Sequence, residues 1–178
     1  MKLKNLLDYF KLKLNTFDMI FLSLLVGFNV VFTIAPPINL WNAQCGFGFI
    51  PIAIAAYYYG CSGGIIVAAL GDILGTIIAP MGPYFPGFTL SAMLTGIIFG
   101  LFLFKNANVV KTVFAVITNQ IICTLILNTY FISVLYTKAF GVLITSRAVQ
   151  AVITTAVQIP IIILLIKVVL KKVNTKKQ

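Results

Sequence analysis

The chain is predicted to be an all-α, polytopic membrane protein with six transmembrane helices and both termini in the cytoplasm. Three observations predict it. First, 61% of its 178 residues are hydrophobic and only 9% are charged, against about 25% charged in an ordinary soluble domain, and the mean hydropathy is +1.08. Second, apolar runs recur between Gly, Pro and Lys punctuation at roughly the 20-residue length that crosses a hydrocarbon core of about 30 Å. Third, the lysines cluster where a positive-inside topology needs them. Lys2, Lys4, Lys11 and Lys13 precede the first run, Lys105 and Lys111 flank one connection, and Lys167, Lys171, Lys172, Lys176 and Lys177 follow the last. With both ends inside, the number of spans must be even. A single membrane domain is expected over 1–178, with 1–16 as a cytoplasmic N-terminal segment and 171–178 as a cytoplasmic basic tail.

The spans read, in order, as 17–35, 43–59, 63–79, 88–104, 109–136 and 140–170. The first carries Ser23 and Gly27 four residues apart. Small residues at that spacing let two helix backbones approach closely, and on the cytoplasmic half they suit docking of another subunit. The second span is diluted by Gln44, Gly46, Gly48 and Pro51, and Gly60-Cys61-Ser62-Gly63-Gly64 reads as a tight turn into the third. The third holds Asp72, the one acid deep inside an apolar run, close to the bilayer midplane. A carboxylate there is costly unless it is paired, protonated or facing a wet cavity, so Asp72 should face inward. Two roles fit: accepting hydrogen bonds from the amidine-like edge of a heterocycle, or bonding hydroxyls and amides of neighbouring helices.

The fourth span repeats Ala92, Gly96 and Gly100 at intervals of four, read first as internal packing. On the fifth, Gln120, Thr124 and Asn128 form a polar stripe, with Tyr136 and Lys138 beyond its outer end. On the sixth, Arg147, Gln150, Thr154 and Gln158 form another, about 16 Å long at 1.5 Å per residue. The two stripes either bond one another or line a cavity. Arg147 is the only arginine, and with Lys138 it places two cations near the outer face. Such a pair suits a carboxylate-bearing solute; snorkelling to lipid headgroups is the alternative.

The outer connections are 36–42, 80–87 and 137–139. The middle one combines Pro80, Pro83 and Pro86 with Gly82 and Gly87, and carries Tyr84 and Phe85 directly before Phe88. It reads as a rigid aromatic lid. With Trp41, these rings form either an interfacial belt or a preorganised stacking surface for a flat ring.

Absences narrow the function classes. The chain has no histidine, and Cys45, Cys61 and Cys123 lack metal-ligand spacing. There is no GxxxxGK[ST] phosphate loop, no HExxH and no carboxylate cluster. No enzymatic, ATP-hydrolysing, metal or cofactor chemistry is expected, and the net charge of +10 reads as a topology signal rather than a nucleic-acid footprint. Uphill transport would draw its energy from a partner, unless the chain is an autonomous carrier driven by proton flux through Asp72.

Four segments carry a family resemblance: Gly46-Phe47-Gly48-Phe49-Ile50-Pro51-Ile52; Ala69-Leu70-Gly71-Asp72-Ile73-Leu74-Gly75; the run from Gly82 to Gly100 with its Tyr-Phe-Pro-Gly-Phe-Thr-Leu-Ser-Ala core; and Leu127-Asn128-Thr129-Tyr130 followed by Leu135-Tyr136 and Lys138. Over about residues 19–165 the chain resembles the S components of energy-coupling-factor vitamin transporters, the folate-type members most closely. The resemblance implies a six-helix subunit of a bacterial plasma membrane that captures a vitamin, here folate, under its outer loops. It also implies as partners a coupling transmembrane subunit and two ATPase subunits. The family's small-xxx-small docking motif maps onto Ser23 and Gly27, and matching positions for ligand contact are Asn128, Tyr136, Lys138 and Arg147. Where the family commonly has further basic residues, this chain has Asn29 and Gln150. The expected substrate site therefore comprises Asp72, Tyr84, Phe85, Phe88, Asn128, Tyr136, Lys138, Arg147 and Gln150, with an S component for another vitamin as the alternative.

Overall fold

The structure is a computed structural model that describes residues 15–35, 38–40, 43–80, 84–105, 107–136 and 140–167. Most of the N-terminal segment, the basic tail, Trp41, the centre of the lid (81–83) and Lys138 lie outside the described residues, as does the side chain of Tyr136.

Helix α1 (Thr16–Ile34) opens on a capping box. The Asn15 side chain accepts from the Thr16 N–H at 2.9 Å, and the Asp18 carboxylate accepts from the Asn15 N–H at 3.0 Å. Backbone donors of the first turn, which have no partner inside the helix, are thereby satisfied. The other Asp18 oxygen accepts from the Tyr59 hydroxyl at 2.9 Å, pinning the start of α1 to a distant part of the chain.

A short antiparallel hairpin follows, β1 (Ile38–Leu40) with β2 (Ala43–Cys45), in the register Ile38↔Cys45, Asn39↔Gln44, Leu40↔Ala43. The second span was expected to begin at residue 43, but helix α2 begins at Phe49. Gly46 and Gly48 disfavour a helix by about 1 kcal/mol each relative to alanine, and strand pairing gives residues 43–45 the backbone partners that a helix would have supplied.

Helix α2 (Phe49–Ile78) absorbs the expected second and third spans into one run. Its break is a single residue, Gly60, at φ 68° and ψ −153°, a left-handed conformation that glycine adopts without steric cost. The chain doubles back there. A Cβ on Gly63 would lie 3.0 Å from the Ala55 carbonyl oxygen, a residue that an unbroken helix would hold about 12 Å away along its axis. The packing against α1 reverses accordingly. Before Gly60 the pairs are Phe32 with Phe47 and Phe21 with Tyr58, an antiparallel order; beyond it Asn29 meets Gly71 and Thr33 meets Gly75, a parallel one.

Helix α3 (Pro86–Leu103) starts with Pro86 in its first turn, where the missing N–H costs nothing. It runs antiparallel to the second half of α2, with Gly96 against Gly64 and Gly100 against Cys61. The small-residue stripe of the fourth span therefore faces inward. Helix α4 (Val109–Asn119), a π-helical stretch (Gln120–Asn128) and α5 (Thr129–Tyr136) continue one another, and α6 (Phe140–Leu165) closes the bundle. Among the described residues five helices are long and apolar enough to cross a membrane: Thr16–Ile34, Phe49–Ile78, Pro86–Leu103, Val109–Leu135 and Arg147–Leu165. The expected count was six, and the difference lies in α2. The core includes Leu25, Ala55, Val67, Phe99, Val116 and Ile162.

Candidate functional site

A cavity of about 420 Å³ lies among α1, α2, α3 and the π-helical stretch running into α5, a volume within the usual range for small-molecule sites. Helix α1 contributes Thr33; α2 contributes Asp72, Gly75 and Thr76; the lid contributes Tyr84 and Phe85. Helix α3 adds Phe88, Ser91, Ala92 and Thr95, and the far wall is Asn128, Ile132 and Leu135. Five of the nine expected binding residues, Asp72, Tyr84, Phe85, Phe88 and Asn128, are thus brought to one cavity.

Asp72 both faces the cavity and is hydrogen-bonded within the protein. The Thr89 hydroxyl donates to Asp72 Oδ2 at 2.7 Å, and the Tyr84 hydroxyl lies 3.1 Å from Thr89 Oγ1. Of the four rings read as a stacking surface or an interfacial belt, Tyr84, Phe85 and Phe88 line the cavity, and Trp41 lies outside the described residues. Phe85 and Phe88 pack with Phe131, at centroid separations of 5.5 to 6.2 Å, within the spacing range of favourable aromatic pairs. Tyr84 also lines the cavity, with its hydroxyl against Thr89. A Cβ on Gly87 would run into the rings of Phe85 and Phe131, so a side chain there would displace them.

Asn128 reaches the cavity because of the π-helical stretch. A π turn takes up one more residue than an α turn, so the i, i+4 stripe expected for Gln120, Thr124 and Asn128 does not persist. Asn128 lines the cavity and its Oδ1 is buried with no partner among the described residues. Gln120 turns to α6, where its Nε2 donates to Gln158 Oε1 at 3.2 Å. At that point the two polar stripes bond one another.

Arg147 and Gln150 are half-buried on α6 and are not among the residues that line the cavity. Ser23 and Gly27 lie on an exposed face of α1 with Ile20, Leu24, Phe28 and Val31. Among the described residues, a Cβ on Gly27 would meet nothing within 4 Å. Thr33, Thr76, Thr89, Ser91 and Thr95 were not singled out from the sequence; the cluster of hydroxyls just after the lid is the signal that marks three of them. Asn29 was noted only as a departure from a family pattern. It is 3% exposed, and its Nδ2 donates to the Gly48 carbonyl at 2.8 Å, fixing the start of α2 against α1.

A bundle of apolar helices around a cavity walled by aromatic rings, hydroxyls, an amide and a carboxylate defines a multi-pass membrane protein that binds a small solute. The sequence profile of the ECF transporter substrate-specific component matches residues 17–166, and the chain belongs to that family, whose members are transporter subunits rather than enzymes. The folate transporter FolT of Clostridium novyi is 37% identical over 136 residues, covering 76% of this chain and 79% of the relative. FolT of Leuconostoc mesenteroides is 27% identical over 156 residues, covering 84% of each. A crystal structure of FolT bound with folic acid matches with a TM-score of 0.78 at 25% identity, over 85% of this chain and 93% of the other.

Proposed function

We propose that this chain captures folate at the outer face of the membrane and delivers it through a separate coupling subunit and two ATPases. The observation that carries the reading is the chemistry of the cavity. Asp72 presents a carboxylate to an N–H-rich ring edge, Asn128 an unpaired carbonyl, and Phe85 and Phe88 an apolar wall. A pterin ring offers donors, acceptors and a flat face in that arrangement. The likeness to FolT proteins supports folate over other vitamins. On this reading the four expected site residues that are not among the described cavity residues, Tyr136, Lys138, Arg147 and Gln150, serve the glutamate tail. The reversal at Gly60 supports six crossings, with the helix before it short and the termini inside. Ser23 and Gly27 then serve the coupling subunit.

Calorimetry of the purified chain tests the substrate: saturable binding of folate is expected, and binding of thiamine or biotin without folate overturns it. Reconstitution tests the mechanism. Uptake is expected only with the coupling subunit, the ATPases and ATP; uptake by this chain alone along a proton gradient replaces the reading with an autonomous carrier.

A further inference from the structure

The side chains that line the cavity have few hydrogens to give. Five of the described ones carry hydroxyls: Thr33, Thr76, Tyr84, Ser91 and Thr95. Three of these spend the proton on the carbonyl four residues earlier in their own helix, Thr33 on Asn29 at 2.9 Å, Thr76 on Asp72 at 2.8 Å and Thr95 on Ser91 at 3.1 Å. A hydroxyl has one proton, so a ligand meets these three as acceptors. Tyr84 is committed at one remove. Thr89 gives its proton to Asp72 Oδ2 at 2.7 Å, and Tyr84 must therefore be the donor in its 3.1 Å contact with Thr89 Oγ1. Ser91, the fifth, is 3% exposed. Besides Ser91, the described wall keeps the Asn128 amide nitrogen as a side-chain donor, while Asp72 presents a carboxylate and Asn128 Oδ1 has no partner among the described residues.

We infer that this cavity selects a pterin in a reduced state, the dihydro or tetrahydro ring, over the oxidised one. The inference rests on the folate reading and says which folates the site is built for. The oxidised ring carries hydrogen at its amino group and N3 but bare lone pairs at O4, N1, N5 and N8. A lone pair buried against acceptors loses its water without gaining a partner, and a carboxylate repels it. Reduction to the 7,8-dihydro ring puts hydrogen on N8, and the tetrahydro ring adds hydrogen at N5. Each step turns a stranded acceptor into a donor that the wall can accept from. A site built to pair a particular N–H rejects the analogue lacking it far more strongly than an apolar pocket does. Asp72 gives the selection its reach, because a charge acts over several ångströms in a low-dielectric interior and the cavity holds about 420 Å³.

The test is calorimetry of the full chain with folate, 7,8-dihydrofolate and tetrahydrofolate in the absence of oxygen. All three share one tail, so contacts beyond the cavity cancel in the comparison. Dihydrofolate should bind about 5- to 100-fold more tightly than folate, the effect of relieving one stranded acceptor, and tetrahydrofolate at least as tightly as dihydrofolate. The dihydro ring stays close to flat, so its gain reports the added N–H rather than the pucker of the tetrahydro ring. Asp72→Asn keeps the shape of the side chain and an acceptor for Thr89 but replaces the charge with an amide that can donate. The ratio of dihydrofolate to folate affinity should then fall to within about threefold of unity. Equal affinities in the parent chain, tighter binding of folate, or a ratio that Asp72→Asn leaves unchanged overturns the selection while the folate reading stands. Binding of none of the three removes the folate reading and the selection with it.

Discussion

Gly64 and Gly96 bring the backbones of α2 and α3 into direct contact: a methyl group on Gly64 would lie 2.6 Å from the Gly96 carbonyl oxygen, and one on Gly96 would overlap the Gly64 carbonyl. Neither helix can yield locally, because Gly100 meets Cys61 in the same way one turn further on. The contact sets the spacing of the cavity walls, since Asp72 and Thr89 face each other farther along the same two helices.

Gly96→Ala should therefore destabilise the protein by about 1–3 kcal/mol, the usual cost of overpacking a tight contact. Thermal unfolding in detergent measures it. Gly27→Ala is the matched control, a change on α1 where the added methyl meets nothing, and its melting temperature should stay at or slightly above that of the parent chain. Equal melting temperatures for the parent chain and Gly96→Ala would show that α2 and α3 separate more readily than their packing indicates.

The exposed face around Ser23 and Gly27 leads to the opposite pattern. Leucine at Gly27 should leave folate binding by the isolated subunit and its stability unchanged, because the position is open. Uptake by the assembled transporter should fall to background, since a bulky residue blocks the close helix approach that small residues permit. Normal uptake by Gly27→Leu would move the coupling interface off this face of α1.

The membrane class was legible in the composition, and the cavity-facing Asp72 and Asn128 because each puts a polar group in an apolar run. The joint between the second and third spans was read at Gly60 to Gly64, yet one residue makes it, because composition marks where a chain can turn but not which φ it adopts. The strand pairing at Ala43–Cys45 was not legible, since three residues are too few to show a period. Thr89 was hidden for another reason. A threonine in a helix is commonplace, and its role comes from Asp72, seventeen residues earlier, being brought to it by antiparallel packing. The π-helical stretch redirected a stripe that was sound as α-helical arithmetic.

Gln120 and Gln158 supply a test of that redirection. Their amides bond one another while both are buried. Gln158→Leu alone should destabilise by about 1–3 kcal/mol, because it strands the Gln120 amide in an apolar interior. Adding Gln120→Leu should recover much of the loss, since replacing both partners leaves no orphan. Thermal unfolding of the two single variants and the double closes the cycle. Folate affinity should stay within about threefold throughout if the pair is structural, and a larger loss would place Gln120 or Gln158 in the binding site.

Asn128 and Arg147 should separate the two ends of the ligand. Asn128 lines the cavity with an Oδ1 that has no partner among the described residues, whereas Arg147 is half-buried on α6 and does not line it. If the ring occupies the cavity and the glutamate tail leaves it, Asn128→Ala removes a neutral hydrogen bond to the ring. Affinity for folate and for a tail-less pterin should then fall alike, by about 3- to 10-fold. Arg147→Ala should weaken folate by about 10-fold or more, the scale of a charge-assisted contact to a carboxylate, and leave the tail-less pterin unaffected. Calorimetry with both ligands on both variants reads the split directly. Equal losses for both ligands on Arg147→Ala would bring α6 to the ring itself, and an unchanged folate affinity would take Arg147 out of the site and return it to the membrane interface, where its aliphatic stem lies against lipid and its charge reaches the headgroups.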